Sequence, residues 1–368
     1  MSVSISNSNE VGPSGINFIG FNQDAGCFAV GLKNGFRVFN SDPLKENERM
    51  DFLNQTQSGV GHVEMLFRTN FLGILGGGSN PMFPANKCCV WDDIKRKFVI
   101  EFEYASDIKA VKLRFDRMVI VLELSIKVYS FEALPKLLFN CDTGANPMGM
   151  CAVSHSSSNP LMAFPDRKLG KVVIVDLTRY ENETTNPIIS FGAHQNQLSA
   201  IVFNSIGTLI ATASIKGTLI RVFNPRKGIK LFELRRGTNP AAIYSISFNQ
   251  DSTMMSVTSD HDTVHVFKIT PNALGFDKNS LSNSKDNLAV NNWSGNKIPS
   301  SSFSQIRCML SGKAKSVAAF SLSSPNTLII LDSNGSYLKY SFSDKSGSNL
   351  RREQCVNFLN YDDEHDKF

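Results

Sequence analysis

The sequence predicts an all-β chain, a seven-bladed WD40-like β-propeller in which each blade is a four-stranded antiparallel sheet. Three observations predict it. Short β-rich runs bounded by Gly, Asn, Asp, Ser and Pro recur along all 368 residues, and helical periodicity is almost absent. The runs group in fours. Two of the groups display a long period directly: Ala213-Ser214-Ile-Lys-Gly-Thr218 returns 45 residues on as Thr258-Ser259-Asp-His-Asp-Thr263, and Val222-Phe223 returns 44 residues on as Val266-Phe267. A period in the low forties with four strands per unit is the mark of a propeller, whose blades bury their faces only against one another.

Taken in order, the units fall at about 16–53, 63–102, 108–140, 148–191, 198–234, 243–310 and 316–359, one domain over 1–368. Unit one reads Ile16 to Phe21, Cys27 to Gly31, Phe36 to Phe39 and a run near Arg49 to Leu53. Unit two reads Val63 to Arg68, Phe71 to Leu75, Cys88 to Trp91 and Phe98 to Phe102. Unit three reads Ile108 to Arg114, Met118 to Leu122, Ser125 to Phe131 and Lys136 to Asn140; unit four reads Met148 to Val153, Leu161 to Phe164, Lys171 to Asp176 and Pro187 to Phe191. Unit five has Leu198 to Phe203, Leu209 to Ser214, Leu219 to Phe223 and Lys230 to Leu234. Unit six has Ile243 to Phe248, Met254 to Thr258, Val264 to Ile269 and a last run near Phe303 to Leu310. Unit seven has Ser316 to Leu322, Thr327 to Leu331, Tyr337 to Phe342 and Gln354 to Leu359. Each unit holds its four strands in chain order, so closure is expected without an exchanged terminal strand, through side chains of units one and seven.

Composition narrows the function. A hydrophobic fraction of 42% supports a large core, and a net charge of +5 permits an anionic partner without demanding one. No apolar run is long enough for a membrane span, and the polar Met1 to Ser14 has no signal-peptide core, so a cytoplasmic location is expected. The seven cysteines form no C-x-x-C pair and fall mostly in apolar runs, which reads as buried reduced thiols rather than a metal site. No catalytic constellation is present: Gly76-Gly-Gly-Ser79 lacks the lysine of a P-loop, Asp92-Asp93 follows Trp91 at a strand end as in a blade turn, and His62, His155 and His365 read as surface or turn residues. No enzyme activity, cofactor or metal is expected.

The chemistry concentrates at Leu231-Phe-Glu-Leu-Arg-Arg-Gly-Thr238. In a strand successive side chains point to opposite faces, so Arg235 and Arg236 reach two pockets, one on each side. Around them lie His194, Thr212, Ser214, Gly217, Thr218 and Arg221 upstream, and Ser259, Thr263 and His265 downstream. Hydroxyls, imidazoles and guanidinium forks are the donor set that holds a phosphate, and the set occurs twice, one per unit. Strand parity separates Thr218 from Arg221, so one of them acts from a bulge or loop end.

From His194 to Phe267 the chain resembles the PROPPIN family, WIPI-type propellers that bind phosphoinositides. The resemblance rests on Leu234-Arg-Arg-Gly237, on Ala213 to Phe223, on Ser259 to Phe267, and on Leu75-Gly-Gly-Gly-Ser-Asn-Pro81 with Asn86-Lys87 and Val90-Trp-Asp-Asp93. It implies a first phosphoinositide site of His194, Thr212, Ser214, Gly217, Thr218, Arg221 and Arg235, and a second of Arg236, Ser259, Thr263 and His265. His261-Asp262 stands where many members have Lys-Gly, and its carboxylate is expected to weaken the second site. If His194 and His265 are ligands, protonation near pH 6 is expected to favour the anion.

The stretch 270–302 of unit six is far longer than a hairpin needs. Its Phe276, Trp293 and Ile298 among Lys, Asn and Ser read as a membrane-inserting loop, as the resemblance also implies. The whole implies a monomeric adaptor for phosphatidylinositol 3-phosphate and the 3,5-bisphosphate, peripherally bound to preautophagosomal, endosomal and vacuolar membranes. It would recruit an autophagic lipid-transfer protein or a coiled-coil scaffold of the conjugation machinery, with no nucleic acid involved. The rival is a WD40 interaction scaffold that binds an acidic peptide with the same arginines.

Overall fold

The structure, a computed structural model, describes residues 2–4, 15–52, 57–180, 184–185, 187–269, 304–307, 314–342 and 350–361. It contains seven antiparallel sheets arranged as the blades of a propeller. Blade one holds β1 (Ser2–Ser4), β2 (Ile16–Phe21), β3 (Cys27–Leu32), β4 (Gly35–Ser41) and β5 (Leu44–Asp51). Blade two holds β6 (Val60–Met65), β7 (Phe71–Gly76), β8 (Lys87–Asp92) and β9 (Lys97–Glu103); blade three holds β10 (Ile108–Arg114), β11 (Arg117–Leu122), β12 (Ser125–Ser130) and β13 (Leu137–Asp142). Blade four is β14 (Ala152–Val153), β15 (Leu161–Pro165), β16 (Lys171–Asp176) and β17 (Ile189–Gly192); blade five is β18 (Leu198–Phe203), β19 (Ile210–Ser214), β20 (Leu219–Asn224) and β21 (Ile229–Arg235). Blade six is β22 (Ile243–Phe248), β23 (Met254–Ser259), β24 (Thr263–Lys268) and β25 (Ser304–Arg307); blade seven is β26 (Ser316–Phe320), β27 (Thr327–Asp332), β28 (Ser336–Phe342) and β29 (Leu350–Asn357).

Six sheets have four strands and blade one has five, because β1 pairs antiparallel with β2 in a register that sets Val3 opposite Ile19. The sequence reading did not include this strand, since Met1 to Ser14 carries no β-rich run. It joins its own blade and not the last one, so among the described residues no terminal strand is exchanged.

Burial follows position in the blade. The inner strands β2 and β3 are buried at every residue, sandwiched between neighbouring blades, whereas the outer β5 alternates exposed and partly buried positions. Seven apolar clusters fill the seven seams between adjacent blades. The clusters at the blade four/five and five/six seams frame the site: Ile201, Ile210 and Phe223 pack toward blade four, and Ala211, Ala213, Ile220, Val222 and Leu234 toward blade six.

The blade turns use buried carboxylates. Asp92 accepts from Asn70 Nδ2 at 2.6 Å and from the amides of Ile94 and Lys95, as expected of a blade turn after Trp91. Cys27, Cys88, Cys89, Cys141 and Cys151 are free and buried, while Cys355 is free and exposed. Among the described residues no helix is long and apolar enough to cross a membrane.

Candidate functional site

The two arginines are delivered by β21, whose facing is set by one residue. Leu234 is buried in the five/six seam, so its neighbours Glu233 and Arg235 turn to the four/five seam. Arg236 follows the strand, its amide continuing the ladder to Thr218 O at 2.9 Å. The two guanidinium groups meet very different surroundings. Arg235 is exposed and makes no hydrogen bond or ion pair among the described residues. Arg236 is only 6% exposed; its Nε donates to Gly217 O at 3.0 Å and its Nη2 donates to Asn239 O.

At the four/five seam, Thr212 and Arg221 are opposite one another on β19 and β20, and Arg221 is opposite Glu233 on β21. They share the face of Phe223, which packs toward blade four. His194, in the loop before β18, contacts Thr212 Oγ1 through Nε2 at 2.9 Å. Arg221 donates from Nη1 to Ala193 O and from Nε to Glu233 Oε2, both at 2.7 Å. Lys230 Nζ donates to the same Oε2 at 2.9 Å. Burial, with Arg221 beside it, pushes the His194 imidazole down to about 4.

The turn between β19 and β20 borders both seams. Ser214 O accepts the Gly217 amide at 2.8 Å, and Gly217 has φ +62. A Cβ there would lie 1.8 Å from Ala241 O, so both the backbone angle and the close approach of the next loop require glycine. Thr218 is the one of the pair that sits at a loop end: it is buried just before β20, and its carbonyl holds the amides of Arg236 and Gly237.

At the five/six seam Phe267 packs toward blade five, and Thr263 and His265 share its side of β24. Ser259, at the end of β23, is buried and its Oγ accepts the His261 amide at 3.4 Å. His265 is also buried, and its Nδ1 has no hydrogen-bond partner among the described residues. Burial first, then the charges of Arg236 and His261, lower its imidazole to about 4. The carboxylate whose field reaches Arg236 is Asp260, on the loop just before Asp262.

The structure thus sets His194, Thr212, Ser214, Arg221 and Arg235 along one seam and Arg236, Ser259, Thr263 and His265 along the next, with Gly217 and Thr218 in the turn between them. Two expectations are corrected. The imidazoles of His194 and His265 stay neutral well below pH 6, because burial and a neighbouring arginine both oppose the proton. His62 is not a surface residue: it is buried against Phe18 with ring centroids 4.5 Å apart, and His155 Nε2 contacts Leu113 O at 2.9 Å. Sequence reading missed Glu233, Lys230 and the Ala193 carbonyl; for Glu233 the signal was available, since it lies two residues before Arg235 on the same strand face. Phe276, Trp293 and Ile298, like His365, lie outside the described residues.

Fold and site together define a WD40-class propeller with a double arginine set between two polar seams. The chain matches the family model described as PROPPIN over residues 15–347. It belongs to the PROPPIN family, the phosphoinositide-binding β-propellers. It is 39% identical over 250 residues to SVP1-like protein 2 of Pichia angusta, covering 68% of this chain and 69% of that protein. It is 34% identical over 291 residues to Autophagy-related protein 18 of Komagataella pastoris, covering 69% of this chain and 52% of that longer protein. Kluyveromyces lactis Hsv2 has the same fold, with a TM-score of 0.74 at 22% identity over 92% of this chain and 98% of that one. So does the structure titled "Complex of KlAtg21 with coiled-coil of AgAtg16", with a TM-score of 0.73 at 23% identity, covering 92% of this chain and 98% of that one.

Proposed function

We propose that this chain is a peripheral membrane adaptor that reads phosphatidylinositol 3-phosphate and phosphatidylinositol 3,5-bisphosphate through the two seams flanking Leu234-Arg-Arg-Gly237 and recruits autophagy proteins to the membranes that carry them. Family membership supports the ligand class. The observation that carries the reading is the strand end of β21. It sends one free, exposed guanidinium to a seam of hydroxyl and imidazole groups and a second guanidinium to another such seam, where the buried Nδ1 of His265 has no partner among the described residues. A bound headgroup would supply that partner.

The first seam would hold its anion with Arg235, Arg221, His194, Thr212, Ser214, Gly217 and Thr218, and the second with Arg236, Ser259, Thr263 and His265. Partly screened contacts to one anion would hold a single headgroup in roughly the micromolar range. Two headgroups on one bilayer raise the effective concentration of each other, an avidity gain of ~10²-fold or more. The coiled-coil named in the complex of a similarly folded protein supports a coiled-coil scaffold as one class of partner, and relatives named for autophagy support the pathway.

Flotation with vesicles tests the reading. The chain should float with vesicles containing phosphatidylinositol 3-phosphate and stay behind with unphosphorylated phosphatidylinositol. Replacing Arg235 and Arg236 together by Thr should abolish flotation. A binder of acidic peptides would float with neither vesicle.

A further inference from the structure

Glu233 stands inside the basic cluster of the four/five seam. Its Oε2 accepts from Arg221 Nε at 2.7 Å and from Lys230 Nζ at 2.9 Å. Both contacts fall on one oxygen; Oε1 has no hydrogen bond among the described residues. The side chain is 19% exposed, so it is reachable from solvent at the seam. It also shares the strand face of Arg235, two residues on, or roughly 7 Å along the strand.

An ionised carboxylate only accepts hydrogen bonds. Toward an inositol headgroup it therefore treats the ring substituents differently: a hydroxyl can donate to Oε1, whereas a phosphate brings more acceptor oxygens and like charge. The next seam has no carboxylate at this register. In blade five Arg221 is opposite Glu233, while in blade six the corresponding His265 is opposite Gln305, a neutral amide. The two seams share one backbone plan and differ by a charge at the equivalent register.

We propose that Glu233 is a specificity-determining residue of the four/five seam: it holds Arg221 in place and offers its second oxygen to a ring hydroxyl, so this seam favours an inositol carrying one ring phosphate over one carrying a second. The seam of Gln305 admits the second phosphate. Discrimination here combines that hydroxyl contact with a built-in repulsion of the second phosphate. The proposal rests on the reading of the seams as headgroup sites.

The test is calorimetric titration of the full chain with water-soluble short-chain phosphatidylinositol 3-phosphate and 3,5-bisphosphate, beside Glu233→Gln, Gln305→Glu and Arg235→Thr. Glu233→Gln keeps the shape and an acceptor for Arg221 but removes the charge. It should raise the ratio of bisphosphate to monophosphate affinity roughly threefold to tenfold, the scale of one partly screened charge. Gln305→Glu, at an exposed residue, should lower that ratio by a similar factor. An unchanged ratio in both variants overturns the proposal. So does an equal loss for both ligands in Glu233→Gln, which would leave Glu233 a structural brace for Arg221 alone. If the wild type binds neither soluble ligand and Arg235→Thr behaves identically, the headgroup reading itself fails, and Glu233 with it.

Discussion

Arg235 and Arg236 are chemically identical and structurally unlike. The period of two along a strand sufficed to send them to different seams, and the sequence carried that. It did not carry the burial of Arg236, because the acceptors that bury it, Gly217 O and Asn239 O, are backbone carbonyls of loops. Arg236 is therefore both a candidate ligand and a clamp between two loops. Arg236→Thr should cost about 1.5–3 kcal/mol, the range for hydrogen bonds to a charged group, whereas Arg235→Thr should change stability by less than about 0.5 kcal/mol. Urea denaturation of the two variants separates them; equal midpoints would remove the clamp. The histidines carry a second residue-scale prediction. The folded-state pKa values of His194 and His265 lie at about 4, below the ~6.5 of an unfolded chain. Between those values the unfolded state binds protons that the folded state refuses, so stability is full above pH ~6.5 and falls as pH drops toward about 4. Replacing both by Asn should flatten that decline without abolishing it, since burial also lowers His62 and His155. Melting temperatures from pH 7 to 5 provide the check, and an unaltered slope would show that these two imidazoles are not the groups that titrate.

Strands were the most legible elements, since each is a short apolar run closed by a turn signal, and the inner strands of a blade are buried on both faces. What the pattern hides is register. In blades one, two, three, five and six the pair formed by the first two of the four expected strands slips by one residue after its first position, as between Leu198 and Ala200. No residue type marks such a slip, because the bulge is imposed by twist and not by side-chain preference. The added β1, which pairs with β2, was unmarked, and of the expected run Met148 to Val153 only the two-residue β14 pairs as a strand, with β15. The 270–302 segment was legible only as composition, and its membrane role belongs to the proposed function. If Trp293 enters the bilayer interface, Trp293→Ala should weaken vesicle binding by a similar factor at every salt concentration, because apolar transfer is not screened. Contacts of the arginines to phosphate should weaken as salt rises. Vesicle titration at several ionic strengths distinguishes the two contributions, and wild-type binding by Trp293→Ala would make the loop a bystander.

At the scale of the whole molecule, the period fixed the blade count, and the contiguity of each unit fixed how the ring closes. Blade seven takes all its strands, β26 to β29, from one segment, so among the described residues no strand pairing stitches it to blade one. The seam must hold by side chains. Phe28, Phe39 and Phe358 are fully buried there, with the Phe358 ring 5.4 Å from Phe28 and 5.5 Å from Phe39. Val317, Ile329, Leu331 and Tyr337 complete the cluster from blade seven. Polar contacts border it: Tyr337 Oη donates to Ser41 O at 2.8 Å, Lys339 Nζ to Asp42 Oδ1 at 2.8 Å, and Arg37 Nη1 to Leu359 O at 3.0 Å. Phe358 lies in the 3-10 turn Phe358–Asn360 that follows the last strand, so the very end of the described chain plugs the seam. The Phe21, Phe28 and Phe39 signals were readable from unit one, but Phe358 was only the tail of a run, and its partner rings lie more than three hundred residues away in sequence. Phe358→Ala should remove about 3–5 kcal/mol, the usual cost of a phenylalanine-sized cavity. The midpoint of urea unfolding should fall while its slope stays near that of the wild type, because the same surface is exposed once the ring opens. Asp42→Asn, which weakens only the polar border, should cost less. A loss below about 1 kcal/mol in Phe358→Ala, with Asp42→Asn the more damaging of the two, would move the burden of closure from the rings to the ion pair.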